Sequence, residues 1–287
     1  MSEHEGGGAQ RWAEAMEANR RNWNARVPVH TGPDGYDLDH LLADPAAISE
    51  VVAFDVDRLG DLTGLDVVHL QCHIGTDTIS LARLGANATG LDLAEDAVAE
   101  ARVLAERCGV DATFVAANVY DAPEALGQQY DLVYTGVGAL NWLPDMAAWA
   151  DVVARLLRPG GRLHLFEGHP VSFSLADDCG PDDIRLEYPY FRPEQPLQFE
   201  ETASYLGSGE VTEPLHFEWS HALSEVIQAV LDAGLQLTRF EEHRVIPWRQ
   251  FPWYEPVPDT FDWTQLPEER REIVPLTYTL QAIKPGG

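Results

Sequence analysis

The spacing of apolar positions changes character twice along this chain. Over residues 11–26 they follow a helical period, with Trp12, Ala15, Met16, Asn19 and Trp23 falling together, which predicts a largely polar helix. Pro28 and the turn Thr31-Gly32-Pro33-Asp34-Gly35 predict its end. Residues 39–59 predict a second helical stretch, broken near Pro45, whose stripe is Ile48, Val51, Val52 and Val56. From Asp66 onward, short and nearly continuous apolar runs alternate with helical periods. The runs at 66–72, 88–93, 112–116, 130–136 and 162–167 read as strands covered on both faces. Helices are predicted at 76–84, 94–107 and 145–157, the last stopped by Pro159-Gly160-Gly161. Repeating units of roughly 25–35 residues suit right-handed βαβ crossovers and an open parallel sheet.

The alternation stops after Glu167. Prolines and aromatics fill residues 169–220, with alternating stretches at 200–206 and 215–220 that predict a small antiparallel element. A helix at 221–233, closed by Gly234, a strand at 235–242, a Pro/Trp-rich loop and a last strand at 276–283 complete the chain. Those two strands suit an antiparallel pair joined by a long loop. The expected fold is therefore α/β: a Rossmann-like seven-stranded mixed sheet with helices on both faces, an inserted antiparallel lid and an N-terminal helical cap. The expected division is a cap over 1–60, a core over 61–168, an insertion over 169–220 that forms a substrate lid, and the rest of the core over 221–287.

Charge narrows the range of partners. Forty-seven acidic residues stand against 19 basic ones, a net −28, and Lys284 is the sole lysine. Such a surface repels nucleic-acid backbones and anionic lipid, so neither is expected as a partner. Acidity of this kind serves solubility, in a salty cytoplasm among other settings. Cys72, Cys108 and Cys179 are widely spaced with no CxxC pair, which points to neither a zinc site nor a disulfide framework. The opening MSEHEGGGAQ fits neither part of a signal peptide, and no apolar run reaches the ~18 residues of a membrane span, so a cytoplasmic enzyme is expected. Oligomeric state is open, and a homodimer is compatible with the sequence.

Ligands of open parallel sheets bind at the carboxyl ends of the strands. The first such loop is Gln71-Cys72-His73-Ile74-Gly75-Thr76, leading into a helix N-terminus that attracts anions. Asp92 ends the second strand, where a carboxylate suits the two hydroxyls of a ribose. In order and spacing these features resemble the class I S-adenosylmethionine-dependent methyltransferases. The resemblance covers residues 66–167 and, less specifically, 221–284. Where that family has an acid and three glycines, this chain has His69, Gln71, His73 and Gly75; the stretch LQCHIGTDTISLARLGANATGLDL looks like a small-molecule branch with this substitution. The resemblance implies S-adenosyl-L-methionine as cofactor, with Gln71, His73, Thr76 and Asp77 supplying side-chain contacts. It places Asp92 at the ribose, Leu93 and Val119 beside the adenine, Asn118 at the adenine amino group, and Thr135 and Gly136 near the methionine part. Leu156 to Gly161 resembles the family's LkPGG turn, and Trp23 and Arg26 match its N-terminal segment, with Arg26 expected on the carboxylate.

The reaction so implied moves a methyl group to an O or N of a small organic metabolite. Histidine suits proton removal because its ordinary pKa lies near ~6.5. His169, beyond the fifth strand, is the first candidate by position, followed by His30 and His221; each could equally be a capping histidine. His243 also ends a strand. A metal held by Glu167, His169 and Glu242 or His243 is not demanded by spacing, and none is expected. Aromatics in the loops, among them Trp142, Phe173, Tyr188, Tyr190, Phe191, Tyr205, Trp219, Trp248, Trp253 and Tyr254, either close over an organic substrate or pack a core of their own. A nicotinamide or flavin enzyme would want a GxGxxG turn, which Gln71 and His73 crowd. A non-catalytic binder of the same fold is the other reading, separable by titration with S-adenosylmethionine.

Overall fold

The computed structural model describes residues 6–32 and 34–286. The first five residues, and Pro33 of the predicted turn, lie outside the described residues. Seven strands form one sheet: β1 (Asp66–Leu70), β2 (Asn87–Asp92), β3 (Thr113–Ala116), β4 (Tyr130–Thr135), β5 (Leu157–Gly168), β6 (Gln236–His243) and β7 (Thr277–Ile283). Their spatial order is β3-β2-β1-β4-β5-β7-β6. Pairing is parallel from β3 to β5, and β7 runs antiparallel to both β5 and β6. The predicted mixed sheet and its closing antiparallel pair are therefore present.

Chain order explains the reversal. The crossovers from β1 through β3 move outward one way, and β4 restarts on the other side of β1. The loops after β1 and β4 diverge at that point and leave a crevice at the carboxyl edge.

Helices cover both faces. α3 (Glu50–Leu59), α4 (Thr76–Arg83) and α5 (Glu95–Cys108) lie on one face; α6 (Met146–Leu156) and α7 (Leu223–Asp232) lie on the other, with α1 (Gly6–His30) and α2 (Leu38–Ala43) ahead of them in the chain. Strand alternation feeds the two cores. Val68 and Leu70 of β1 pack with Trp149, Leu156 and Val230, while Val67, pointing to the opposite face, packs with Val52, Leu59 and Leu81. Helix ends carry their expected signals: Ser49 Oγ accepts from Val52 N at 3.2 Å, and Asp145 Oδ1 from Ala148 N at 3.0 Å.

Four expectations shift. α1 passes through Pro28 and ends at His30. Proline removes a single backbone donor, and Thr31 restores the last turn by bonding Val27 O through both its N and its Oγ1. β5 begins at Leu157 and takes in Pro159-Gly160-Gly161, because Gly160 and Gly161 exchange backbone bonds with Lys284. In the insertion the strands are Leu197–Glu200 and Leu215–Glu218, not residues 200–206. Residues 203–205 instead turn inward, and Ser204 Oγ meets Arg26 and His30. The predicted Pro/Trp-rich loop carries its own three-stranded sheet of Val245–Ile246, Glu255–Pro256 and Thr264–Gln265. It shares a small core with the insertion through Leu175, Cys179, Ile246, Phe251, Tyr254 and Leu276. Some aromatics thus pack a separate core, while Trp142, Phe173, Tyr205 and Trp248 line a cavity.

Candidate active site

The loop after β1 repeats left-handed backbone at alternate positions: φ is 58° at Gln71, 48° at His73 and 80° at Gly75. Three glycines would adopt this turn without strain; two bulky residues hold it at a cost of order 1–3 kcal/mol each. Gly75 is the position that cannot change, since a Cβ there would lie 2.6 Å from the Phe114 ring. The turn is fixed from outside. Asp92, ending β2, accepts from His73 N at 2.7 Å and from Ala94 N at 2.8 Å. Gln71 Nε2 donates to Ala139 O at 2.8 Å and ties the turn to the loop after β4.

That second loop is closed by Glu167 at the end of β5. Its buried carboxylate accepts from the backbone N–H of Gly138 (2.5 Å), Ala139 (2.8 Å), Leu140 (2.8 Å) and Gly168 (2.6 Å). Burial still pushes its pKa up, against the pull of those four donors.

The two loops enclose a cavity of about 630 Å³ at the carboxyl edge of the sheet. Its wall includes Trp23, Arg26, Gln71, His73, Thr76, Asp77, Asp92, Leu93, Asn118, Val119 and Gly136 from the sequence-derived set. Gly75 and Thr135 stand behind it, as the αL cap of α4 and the last residue of β4. Helix α1 makes the roof together with the hairpin of the insertion. The Asn19 amide donates to Phe217 O and accepts from Phe217 N, both at 2.8 Å, and Asn22 donates to Glu213 O.

Several polar groups inside are held but incomplete. Arg26 is 4% exposed; Nε donates to Asn22 Oδ1 and Nη1 to Ser204 Oγ, while among the described residues no carboxylate hydrogen-bonds to it. Its guanidinium lies over the Trp23 and Trp142 rings at 5.3 and 5.7 Å. Burial pushes its pKa down, with Tyr205, Glu218 and Glu201 acting the other way. Both ring nitrogens of His73 and the Oε1 of Gln71 are buried without a partner. The His73 ring sits edge-on to Trp23 and His30, and burial holds it neutral, well below the ordinary histidine pKa. Burial also lifts the carboxyls of Asp77 and Asp92 to about 6.

The three histidines expected as bases from sequence each hold protein partners, and of the three His221 lines a smaller cavity at this edge. His169 Nδ1 accepts from Val171 N at 3.1 Å as the cap of the short helix Pro170–Phe173, and Nε2 meets Glu242 at 3.0 Å. It lines neither of the cavities at this edge, so its position after β5 gives it a capping duty. His30 Nε2 bonds Ser204 Oγ at 2.8 Å, and burial beside Arg26 pulls its pKa down to about 3. Such a ring takes no proton near neutral pH. His221 reaches Leu143 O at 2.7 Å and Glu225 at 3.2 Å. His243 bonds Thr279 Oγ1. Among the described residues no group of three or more His, Cys, Asp or Glu is placed to hold a metal. Sequence reasoning passed over Tyr36, Ser204, His216 and Glu218, all of which bound or support the cavity. Strand alternation carried a signal for the last two, since residues 216 and 218 of one strand share a face.

Residues 68–163 match the family model described as a methyltransferase domain. This part of the chain is a methyltransferase domain. Its sheet order and its crevice are those of the class I fold, and solved structures of that fold superpose on most of the chain. An S-adenosylmethionine dependent methyltransferase from Mesorhizobium loti aligns with TM-score 0.56 at 20% identity, covering 86% of this chain and 99% of its own. A putative S-adenosylmethionine dependent methyltransferase from Listeria monocytogenes aligns with TM-score 0.55 at 17% identity, covering 79% and 94%. Among curated proteins, the methyltransferase domain is similar to the ubiquinone biosynthesis O-methyltransferases of Cronobacter sakazakii, 34% identical over 115 residues, and Xanthomonas oryzae, 36% over 118. The matched stretch is 40% of this chain in both cases, and it spans about half the length of these relatives, 46% and 49%.

Proposed function

We propose that this protein is an S-adenosyl-L-methionine-dependent methyltransferase acting on a nucleophilic O or N of a small organic molecule. The observation that carries the reading is Arg26: a buried cation with no carboxylate bonded to it among the described residues, facing a cavity whose other partnerless groups suit an adenosyl-amino acid. A buried charge of this kind is costly unless a ligand supplies the counter-charge.

The donor set fits the cofactor from end to end. Arg26 would take the α-carboxylate through its planar fork, and Asp77 would face the ammonium. Asp92 retains free lone pairs for the ribose, because each of its oxygens holds one backbone N–H. Leu91, Leu93 and Val119 form an apolar slot beside Asn118, whose Oδ1 caps the following turn by accepting from Tyr120 N. When bound, the cofactor supplies an activated methyl on a sulfonium. The protein then needs chiefly to align an acceptor and exclude water, and the roof of α1, Trp142 and Tyr205 does the latter. The division into cap, core, insertion and closing strands, with the insertion as acceptor lid, belongs to the same reading, as does a cytoplasmic setting. Among the described residues no helix is long and apolar enough to cross a membrane.

Calorimetric titration with S-adenosylhomocysteine, S-adenosylmethionine and NAD tests the proposal. Saturable binding of the first two with none of NAD is expected. Binding of NAD in their place, or of nothing, overturns it.

A further inference from the structure

A second chamber of about 300 Å³ adjoins the large cavity, and Asn141, Phe173, Glu201, His216, Glu218 and Gln250 form the wall they share. Resting on the methyl-transfer reading, we propose that this chamber is the acceptor site and that its substrate is an amine carried on an apolar frame.

The first observation is charge. Glu167, Asp177, Glu201 and Glu218 line the chamber, with no arginine or lysine among its described residues. Two of these acids are committed: Glu167 to four backbone amides, and Asp177 to the Tyr188 hydroxyl at 2.6 Å. Glu201 and Glu218 remain. Arg26, on the cofactor side, feels both carboxylates without hydrogen-bonding to either. An acceptor carrying a carboxylate or phosphate would bring like charge into this enclosure, whereas an ammonium would neutralise it.

The second observation is independent of charge counting. His216 is 2% exposed, and its Nδ1 lies 3.0 Å from the carbonyl of Pro214. A carbonyl only accepts, so Nδ1 carries a proton, and in the neutral ring Nε2 presents a lone pair. In that form Nε2 stands 3.5 Å from Glu218 Oε1, acceptor against acceptor. The ring cannot swing away, because it packs against Phe199 at 5.4 Å and Trp142 at 5.3 Å. An ammonium N–H is the complement of such a pair, and passage of one of its protons to Nε2 would free the nitrogen lone pair that takes the methyl, with S-adenosylhomocysteine as the leaving group. The remaining wall is largely aromatic and aliphatic, with Phe199, Phe251, Tyr278 and Leu175, and its neutral polar members include Asn141, Ser220, His221 and Gln250. It would cover the frame and add cation–π attraction.

Three probes of similar size separate the possibilities: phenethylamine, phenethyl alcohol and phenylacetate. S-adenosylhomocysteine is titrated first, and that result reports on the methyl-transfer reading alone. Each probe is then titrated by calorimetry into the S-adenosylhomocysteine-loaded protein. Phenethylamine is expected to bind at least about tenfold more tightly than the alcohol, with phenylacetate weakest. Glu201→Gln and Glu218→Gln are each expected to weaken the amine about three- to tenfold while the alcohol is little changed, and the S-adenosylhomocysteine titration of each variant shows that it is folded. Equal binding of all three probes, a preference for the alcohol or phenylacetate, or no binding of the amine overturns the proposal. With S-adenosylhomocysteine bound normally, each of those results leaves the methyl-transfer reading standing.

Discussion

Arg26, Asp77 and Asp92 concentrate the physics of the site in three side chains. A guanidinium enclosed by Trp23, Trp142, Asn22 and Ser204 contributes little to folding, because its desolvation is met by neutral partners alone. Arg26→Met keeps the apolar stem and discards the charge. Unfolding free energy is expected to stay within about 1 kcal/mol of the parent, since the lost hydrogen bonds offset the relieved desolvation. S-adenosylhomocysteine should nevertheless bind about 10- to 100-fold more weakly, matching the ~1.5–3 kcal/mol of a charge-assisted pair. Unchanged affinity by calorimetry would remove Arg26 from the cofactor site. The two aspartates give a pH signature. Burial raises both carboxyls from 3.8 to about 6, so the folded protein holds protons that the unfolded chain has released. Their contribution to stability is full below pH 3.8 and is lost as pH rises through 6. A bound ammonium beside Asp77 would reverse that preference and expel its proton. Calorimetry near pH 6 in buffers of different ionisation enthalpy should therefore show net proton release, up to about half a proton per site, vanishing near pH 8. Proton uptake at pH 6 would contradict the assignment.

At the scale of elements, Glu167 joins β5 to the loop after β4 and thereby shapes one wall of the cavity. Four short bonds from backbone N–H groups to one buried carboxylate cannot be matched by an amide, which turns a donor toward donors. Glu167→Gln is expected to lower stability by about 2–4 kcal/mol, read by denaturant unfolding, because several buried N–H groups lose their partner at once. A change under about 0.5 kcal/mol would mean that the loop holds itself. The same element shows what the chain reveals before it folds. Strands β1, β2, β4 and the later part of β5 were legible because each is buried on both faces and so reads as a nearly unbroken apolar run. The cavity wall was legible because the spacing from Gln71 to Asp92 and on to Asn118 is imposed by the sheet. The role of His169 was not, since sequence places it at the right edge while its direction depends on Glu242 and on the turn at Pro170. His216 and Ser204 escaped for a similar reason. They belong to a segment whose fold is set by α1, more than a hundred and seventy residues away, through Asn19, Asn22 and Arg26.

Across the whole molecule the dominant physical fact is the net charge of −28 on 287 residues. Repulsion among acids destabilises any compact state, and added salt screens it within a Debye length of about 10 Å at 0.1 M. Salt acts oppositely on the arginine–carboxylate pairs such as Arg158 with Asp66 and Asp131, or Arg155 with Glu124. Those pairs are surface-exposed, where each is worth about 0–1 kcal/mol, and 19 basic residues against 47 acidic ones leave most carboxylates without a cation. Repulsion is therefore the larger quantity, and the sign of the salt effect follows. Raising KCl from about 0.02 to about 1 M should stabilise the protein by roughly 1–2 kcal/mol, which for a chain of this size lifts the melting temperature by about 3–6 °C. KCl is the right salt because sulfate would strengthen apolar burial as well and blur the cause. A melting temperature that stays flat or falls would show that the ion pairs, not the unpaired acids, set the balance. The same excess of negative charge draws organic cations toward the surface and lowers the local concentration of anions. A chamber that selects an ammonium at Glu201, Glu218 and His216 would then sit on a molecule whose long-range field already favours that ligand.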